Sequence, residues 1–321
     1  MKTVFKVVEQ DQTKDGAFKT YYDNCPSNEL EITLDKSIES PGFQSLIIEE
    51  LIELKDESLG GEIDRAVISL LSQAILKSGT YVWRFNPTTE FNYPVDNDDT
   101  AVAQKAIILL RKSPIFFNPA GLDILLYHEN SWLKDINNQA LWLSENEQAI
   151  PTFTEKIGNS IDPVVNANIL NTYILIDEEN EEHKQKIKEG IANYLKDCIR
   201  KINKVEMSKI SKYYLYNSFF AYQISKIQKE EGLFEKESID TLKEIVHKTL
   251  PKNTLDAALS VLTLNNLYDQ DERLNAYLKE RQDNFAKPYA LFRRIRGNVY
   301  FASPALNSLL CYKAFNNRDK K

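Results

Sequence analysis

The sequence is poor in the residues that bind metals and in those that stop helices. Three cysteines, Cys25, Cys198 and Cys311, and three histidines, His128, His183 and His247, are scattered, with no CxxC pair and no His-rich tract. This spacing predicts reduced thiols and no His/Cys metal site. No window approaches the roughly 18 uninterrupted apolar residues of a membrane span, and the opening MKTVFKVVEQDQTKDG has no apolar core of the signal type. The expectation is a soluble, cytoplasmic chain with no transmembrane segment. Forty Lys and Arg against 47 Asp and Glu leave a net charge of −7, so no global basic field is present to hold phosphate backbones. Nucleic acid is not an expected partner. Only 10 Gly and 11 Pro punctuate 321 residues, which argues against an all-β chain and for long helices.

From Pro41 onward apolar residues recur at helical spacing, as in Ile63, Ala66, Val67, Leu70, Leu71, Ala74 and Ile75. Further helices are predicted near 42–56, 98–112, 119–128, 135–144, 161–177, 180–203, 207–229, 236–248, 253–268, 271–282 and 303–315. Short connectors, such as Lys77-Ser78-Gly79-Thr80, favour antiparallel neighbours. The predicted fold class is therefore all-α, with paired antiparallel helices that either stack as a solenoid or close as an (α/α)6 barrel. The absence of a clean fixed-period repeat favours the barrel. Residues 1–40 mix alternating stretches, Thr3 to Val8 and Leu30 to Leu34, with turn formers at Asp15-Gly16 and Pro26-Ser27-Asn28. They read as an irregular or short-β segment packed on the barrel. Residues 41–315 read as a single α/α domain and 316–321 as a polar tail.

In Tyr93-Pro94-Val95-Asp96-Asn97-Asp98-Asp99-Thr100-Ala101, Pro94 favours an extended entry, and three acids sit where a helix would begin. An N-cap and a favourable helix dipole explain one or two of them. Three in four residues exceed that need. Carboxylates crowded together and buried raise the pKa of one member, by up to several units, whereas the dipole opposes this by under about one unit. A buried cluster of this kind can hold a proton at neutral pH.

Asp96-Asn97-Asp98-Asp99-Thr100-Ala101 resembles the DxDDTA motif of class II terpene cyclases, in the superfamily of squalene-hopene cyclases and protein prenyltransferase β subunits. Asp15-Gly16-Ala17-Phe18-Lys19-Thr20-Tyr21 is similar to a "DGxFxTY" segment of small, single-barrel bacterial relatives, and Asp162-Pro163-Val164-Val165-Asn166-Ala167-Asn168 resembles another of their motifs. Gln73 through Gly79 to Trp83 resembles a degenerate QW repeat with stretched spacing. These echoes cover the first half of the chain. The resemblance implies an (α/α)6 barrel and protonation of a terminal alkene or epoxide by Asp98, with Asp96 and Asp99 tuning and orienting it. The substrate it implies is a linear isoprenoid whose diphosphate, where present, is retained. No cofactor is required for protonation, and Mg²⁺ could accompany a diphosphate. Most such cyclases place their cavity between two barrels, whereas this chain has length for one, which could form its own pocket, as in prenyltransferase β subunits, or be closed by a second copy or a partner. The zinc-ligand pattern of the prenyltransferases finds no match.

Aromatic faces stabilise carbocations. The candidates are Tyr81, Trp83, Phe85, Phe91 and Tyr93, with Trp132 and Trp142 further on, against the simpler reading of each as core. Asn166 and Asn168 either orient the Asp98 carboxyl or a water, or bond neighbouring backbone. Arg293, Arg294 and Arg296 could grip a diphosphate through bidentate hydrogen bonds, or form a surface patch. The acidic run Asp177 to Glu182 reads as a solvated helix junction rather than a Mg²⁺ site. Two other readings stand beside the cyclase. One is a non-catalytic isoprenoid-binding or scaffold α/α protein. The other is an (α/α)6 carbohydrate-active enzyme, which would need a second acid such as Glu90 or Asp123.

Overall fold

Among the described residues the helices are of two kinds, those buried on every side and those that bury a single face. In the computed structural model, residues 2–24, 26–77, 80–86, 94–113, 139, 141–143, 146–152, 161–176, 181–202, 210–294 and 298–316 are described. Among them are eleven α-helices: α1 (Lys2–Asp11), α2 (Pro41–Leu54), α3 (Gly60–Ser72), α4 (Asn97–Lys112), α5 (Pro163–Tyr173), α6 (Glu181–Ile202), α7 (Asn217–Glu231), α8 (Lys236–Lys248), α9 (Thr254–Asn266), α10 (Glu272–Glu280) and α11 (Pro304–Asn316). The predicted helix near 119–128 lies outside the described residues.

Helices α2, α4, α5, α7, α9 and α11 are enclosed almost all round. An all-round apolar helix belongs in an interior, and these carry their few polar residues mainly where a partner meets them. Helices α3, α8 and α10 are amphipathic instead. In α3, Ile63, Ala66, Val67 and Leu70 are buried while Ile68 is 57% exposed. Pairs of one inner-type and one outer-type helix are what an α/α fold requires.

The described residues group into two compact units. In the first, comprising residues 1–11, 19–38 and 195–321, α9 packs against α7, α11 and α10, and α1 packs on α11. A small sheet of order β2-β1-β8-β7 joins them, built from β1 (Lys19–Asp23), β2 (Ser37–Glu39), β7 (Phe292–Arg294) and β8 (Val299–Ala302). In the second, comprising residues 12–18 and 39–194, α4 packs against α2 and α5, and α2 also meets α3. Two short hairpins complete it, β3 (Ile75–Lys77) with β4 (Thr80–Val82) and β5 (Leu141–Trp142) with β6 (Gln148–Ala149). The Asp15-Gly16 turn forms as expected, with Gly16 at φ 90° and its Cα against the Arg65 carbonyl.

Three local expectations are corrected. Residues 2–11 are helical rather than irregular or β, because Val4 and Val8, one turn apart, bury together while Phe5 meets Tyr312 at 6.4 Å. Tertiary packing overrides the apparent alternation. The predicted helix 135–144 gives way at Leu141–Trp142 to a strand paired with Gln148–Ala149. The helix placed at 207–229 begins only at Asn217, because Tyr213 stacks on Phe292 while Tyr214 meets the same ring edge-on and bridges it as a strand would.

No helix among the described residues is long and apolar enough to cross a membrane. Cys198 and Cys311 are buried thiols outside any disulfide.

His247, in the last turn of α8, sits between two carboxylates, with Nδ1 3.1 Å from Asp271 and Nε2 3.2 Å from Asp269. Arg273 grips Asp271 at 2.6 Å, and Lys243 approaches Asp269 at 4.0 Å. Burial disfavours the charged ring, but the two aspartates outweigh it and raise the His247 pKa above its ordinary value. Such a group stabilises the fold fully below its unfolded pKa of about 6.5 and loses that contribution as pH rises through the folded value. Because a third of the ring is exposed, screening limits the effect to about 1 kcal/mol. Thermal melts should therefore show wild type more stable than His247→Gln near about pH 6, with the difference fading by about pH 8.

Candidate active site

Helix α4 starts where the sequence places it, and its first turn is out of water. Asp96 is the N-cap, and its carboxylate accepts the Asp99 N–H at 2.7 Å. Asp96, Asp98 and Asp99 are all buried, at 6%, 8% and 5% exposure. The backbone entering the turn is pinned from several sides. Asn97 N–H donates to the Thr152 carbonyl at 2.8 Å, and the Asn97 amide donates to Gln139 and to the Pro151 carbonyl. Thr100 Oγ1 donates to the Asp96 carbonyl at 2.7 Å and accepts the Trp83 N–H at 3.1 Å.

Asp99 turns toward the start of α2. Its carboxyl receives the Gly42 N–H and hydrogen-bonds to the Asp96 carboxyl. Two carboxylates can be joined in this way only if one carries a proton, because an ionised carboxyl has no donor. Burial, then the neighbouring Asp96 charge, push Asp99 well above its ordinary value. Burial likewise raises Asp96 to about 7. The pair titrates as one unit, with both carboxyls shifted upward by burial and by neighbouring aspartate charge.

Asp98 points elsewhere. Its Oδ1 accepts from Asn168 Nδ2 on α5 at 2.8 Å. Thr172, one turn beyond Asn168, donates to the Ala101 carbonyl at 2.9 Å and so ties α5 to the same turn of α4. The two asparagines thus divide the readings left open by the sequence. Asn168 orients Asp98, whereas Asn166 bonds backbone at both ends, to Ile150 N–H, the Ile150 carbonyl and the Asp162 carbonyl. Asp162 is the N-cap of α5, with Pro163 at the first helical position.

The aromatic candidates scatter in role. Trp83 is fully enclosed, with its indole N–H donating to the Leu70 carbonyl at 2.9 Å. Phe85 is buried edge-on against Phe43 of α2, with ring centroids 6.3 Å apart. Tyr81 is half-buried on β4, where its carbonyl accepts from Gln104 of α4. Phe91, Tyr93 and Trp132 lie outside the described residues, as do Arg296, Glu90 and Asp123, and only the backbone of Trp142 is described. Arg293 and Arg294 are half-buried on β7 in the first unit, opposite Tyr300 and Val299 of β8.

Glu49, Glu50 and Glu53 on α2 bring carboxylate oxygens within 4.8 Å of one another. Lys105 of α4 reaches Glu49 at 2.7 Å in a buried ion pair. The sequence reading missed this pair, and it missed Gly42, Ser40 and Thr172. Only the helix start Ser40-Pro41-Gly42 carried a local signal of any of them.

No protein-family model matches the sequence, and no curated protein matches it. Solved structures do resemble it. The ent-copalyl diphosphate synthase from Streptomyces platensis matches at 12% identity and a TM-score of 0.53, over 86% of this chain and 50% of that one. This chain thus spans half the length of that enzyme. The glycoside hydrolase family 76 α-mannanase from Bacteroides thetaiotaomicron matches at 9% identity and a TM-score of 0.61, over 99% of this chain and 95% of that one. A family 76 mannosidase from the same organism matches at 10% identity and a TM-score of 0.56, over 100% and 98%. At such identities the likeness shows the fold alone, the α/α-toroid class, shared here by a terpene synthase and glycoside hydrolases.

Two stability measurements probe the site. Breaking a buried ion pair leaves a lone charge, so Lys105→Met should cost about 3–5 kcal/mol in urea unfolding. Asp99→Asn should do the opposite. A carboxyl whose folded pKa is raised contributes fully below its unfolded value of about 3.9 and loses that contribution as pH rises through the folded value. An amide at position 99 can still donate to Asp96 and accept from Gly42. The variant should be more stable than wild type by more than about 1 kcal/mol at pH near 8, and the difference should vanish below about pH 4.

Proposed function

We propose that the chain is a terpenoid cyclase of the class II type, which starts the cyclisation of a linear isoprenoid by proton transfer from its aspartate cluster. The observation that carries this reading is the crowding of three buried aspartates, Asp96, Asp98 and Asp99, in the first turn of α4, where burial and mutual repulsion favour a protonated carboxyl. An alkene is a weak base, and only an acid that stays protonated at neutral pH and is not levelled by bulk water can protonate it.

In this mechanism Asp98 delivers the proton. The terminal alkene uses its π electrons to form the new C–H bond, which leaves the positive charge on the more substituted carbon and a carboxylate on Asp98. The next double bond attacks that cation and closes a ring, and the last cation gives up a proton to a water molecule, so that the proton drawn from the aspartates is replaced from solvent and the overall count is unchanged. The Asp96–Asp99 pair returns a proton to Asp98, and Asn168 fixes the direction of its carboxyl. A substrate diphosphate is left intact, with Mg²⁺ accompanying it where a counterion is needed; the protonation itself asks for no metal.

A second reading is favoured by one observation. The α-mannanase is matched over nearly the whole of both chains, whereas the diphosphate synthase is matched over half its length. The same stored proton could be given to a glycosidic oxygen by an α/α carbohydrate-active enzyme, with a second carboxylate as base or nucleophile.

One experiment separates the two. The purified protein is incubated in parallel with farnesyl diphosphate, geranylgeranyl diphosphate and a mannan oligosaccharide, as wild type and as Asp98→Asn. The cyclase reading expects ring-containing products that retain diphosphate, lowered in the variant by at least about 100-fold. New reducing ends from mannan would move the assignment to the hydrolase reading. Equal products from wild type and variant would remove Asp98 as the acid, and inactivity on all three would favour a binding or scaffold protein.

A further inference from the structure

Two of the inner helices begin alike. Ser40-Pro41-Gly42-Phe43-Gln44-Ser45-Leu46 opens α2, and Ser303-Pro304-Ala305-Leu306-Asn307-Ser308-Leu309 opens α11. In each, proline occupies the first helical position, where its missing N–H is no loss. In each, the next N–H is given to an aspartate carboxyl, from Ala305 to Asp11 at 3.0 Å and from Gly42 to Asp99. The difference is the side chain. At position 305 a methyl group is accommodated. At position 42 a β-carbon would lie 2.2 Å from Asp99 Oδ1, far inside contact distance. The buried Ser40 hydroxyl lies 3.8 Å from the same point.

A glycine inside a helix is less favourable than alanine unless something needs the space. Its φ is not in the left-handed region, so backbone conformation does not demand glycine here. The space itself does. We infer that Gly42 is a positioning residue of the acid site, whose missing side chain lets the Asp99 carboxyl seat directly on the amino end of α2. The amide donor and the positive end of the α2 dipole both favour the charged form of whatever sits there. The seat therefore limits how tightly the Asp96–Asp99 pair retains its proton, and sets the acid's strength from a helix other than its own. This deepens the function proposed above, but its readouts need no substrate, so it stands or fails separately from that reading.

The test compares Gly42→Ala with Gly60→Ala, a helix-start glycine whose β-carbon would meet nothing within 4 Å. The titration of the cluster is followed by the infrared band of protonated carboxyl groups, with Asp99→Asn identifying the signal. Gly42→Ala should displace the carboxyl from its seat and move this titration upward by about one unit, while Gly60→Ala leaves it in place. Each glycine variant is also made in an Asp99→Ala background, where the carboxyl that meets the new methyl is gone. Gly42→Ala should then lower the melting temperature only when Asp99 is present, and Gly60→Ala should show no such dependence. If Gly42→Ala fails to fold but folds in the Asp99→Ala background, the coupling is the one inferred. An unmoved or downward titration, or an equal loss of stability in both backgrounds, overturns the inference.

Discussion

Two carboxyl groups in contact and out of water cannot both be ionised, and the arrangement around α4 follows from holding them there. The energy that would separate Asp96 from Asp99, or admit water between them, has to be outweighed by the packing of the elements that carry them. Helix α4 supplies that packing because it has no wet face. From Asn97 to Ile108 every residue is buried, so the first turn cannot rise toward solvent without unpacking the rest. Helices α2 and α5 complete the enclosure, and each brings a hydrogen bond to a different acid, Gly42 to Asp99 and Asn168 to Asp98.

Several polar groups of these inner helices sit where another element answers them. Glu49 is met by Lys105, Thr172 by the Ala101 carbonyl, and Asn166 by both polar atoms of the Ile150 backbone. In the other unit α9 shows the same habit. Its N-cap Asn253 accepts from the Asp256 N–H at 3.0 Å, and buried Asp256 accepts from Ser218 of α7 at 2.5 Å and from the Lys252 N–H. Both units thus have a middle helix that starts with a capping side chain and a buried aspartate three positions later. In α9 the aspartate stands alone and is fully answered, whereas in α4 there are three, and burial with mutual repulsion raises Asp96 and Asp99. Multiplicity, rather than burial of an acid as such, distinguishes the candidate site.

What is legible in the sequence is what neighbours along the chain decide. The helix start at Asp96 is visible because Pro94 and the acids lie within one turn of one another, and most helix cores are visible from their period. What is not legible depends on residues distant in sequence. Nothing near Gly42 announces that Asp99 will rest on it, and nothing near Lys105 announces Glu49. The amino-terminal helix is hidden for the same reason, because Val4 and Val8 alternate with polar residues and only their packing shows which period counts. The repeated helix starts at Ser40 and Ser303 are hidden by the unequal lengths of chain between inner helices.

Trp83 occupies an unusual mechanical position. Its backbone N–H is bonded to Thr100 in the first turn of α4, its carbonyl accepts from the Asp96 N–H, and its indole N–H is bonded to the last turn of α3. An indole enclosed on all sides, with its polar edge fixed, emits at short wavelength, and its emission shifts when the enclosure loosens. Trp83, one of three tryptophans in the chain, is therefore an optical gauge beside the acid cluster. Any ligand, pH change or substitution that lifts the start of α4 must disturb the same few atoms that set the colour of that fluorescence.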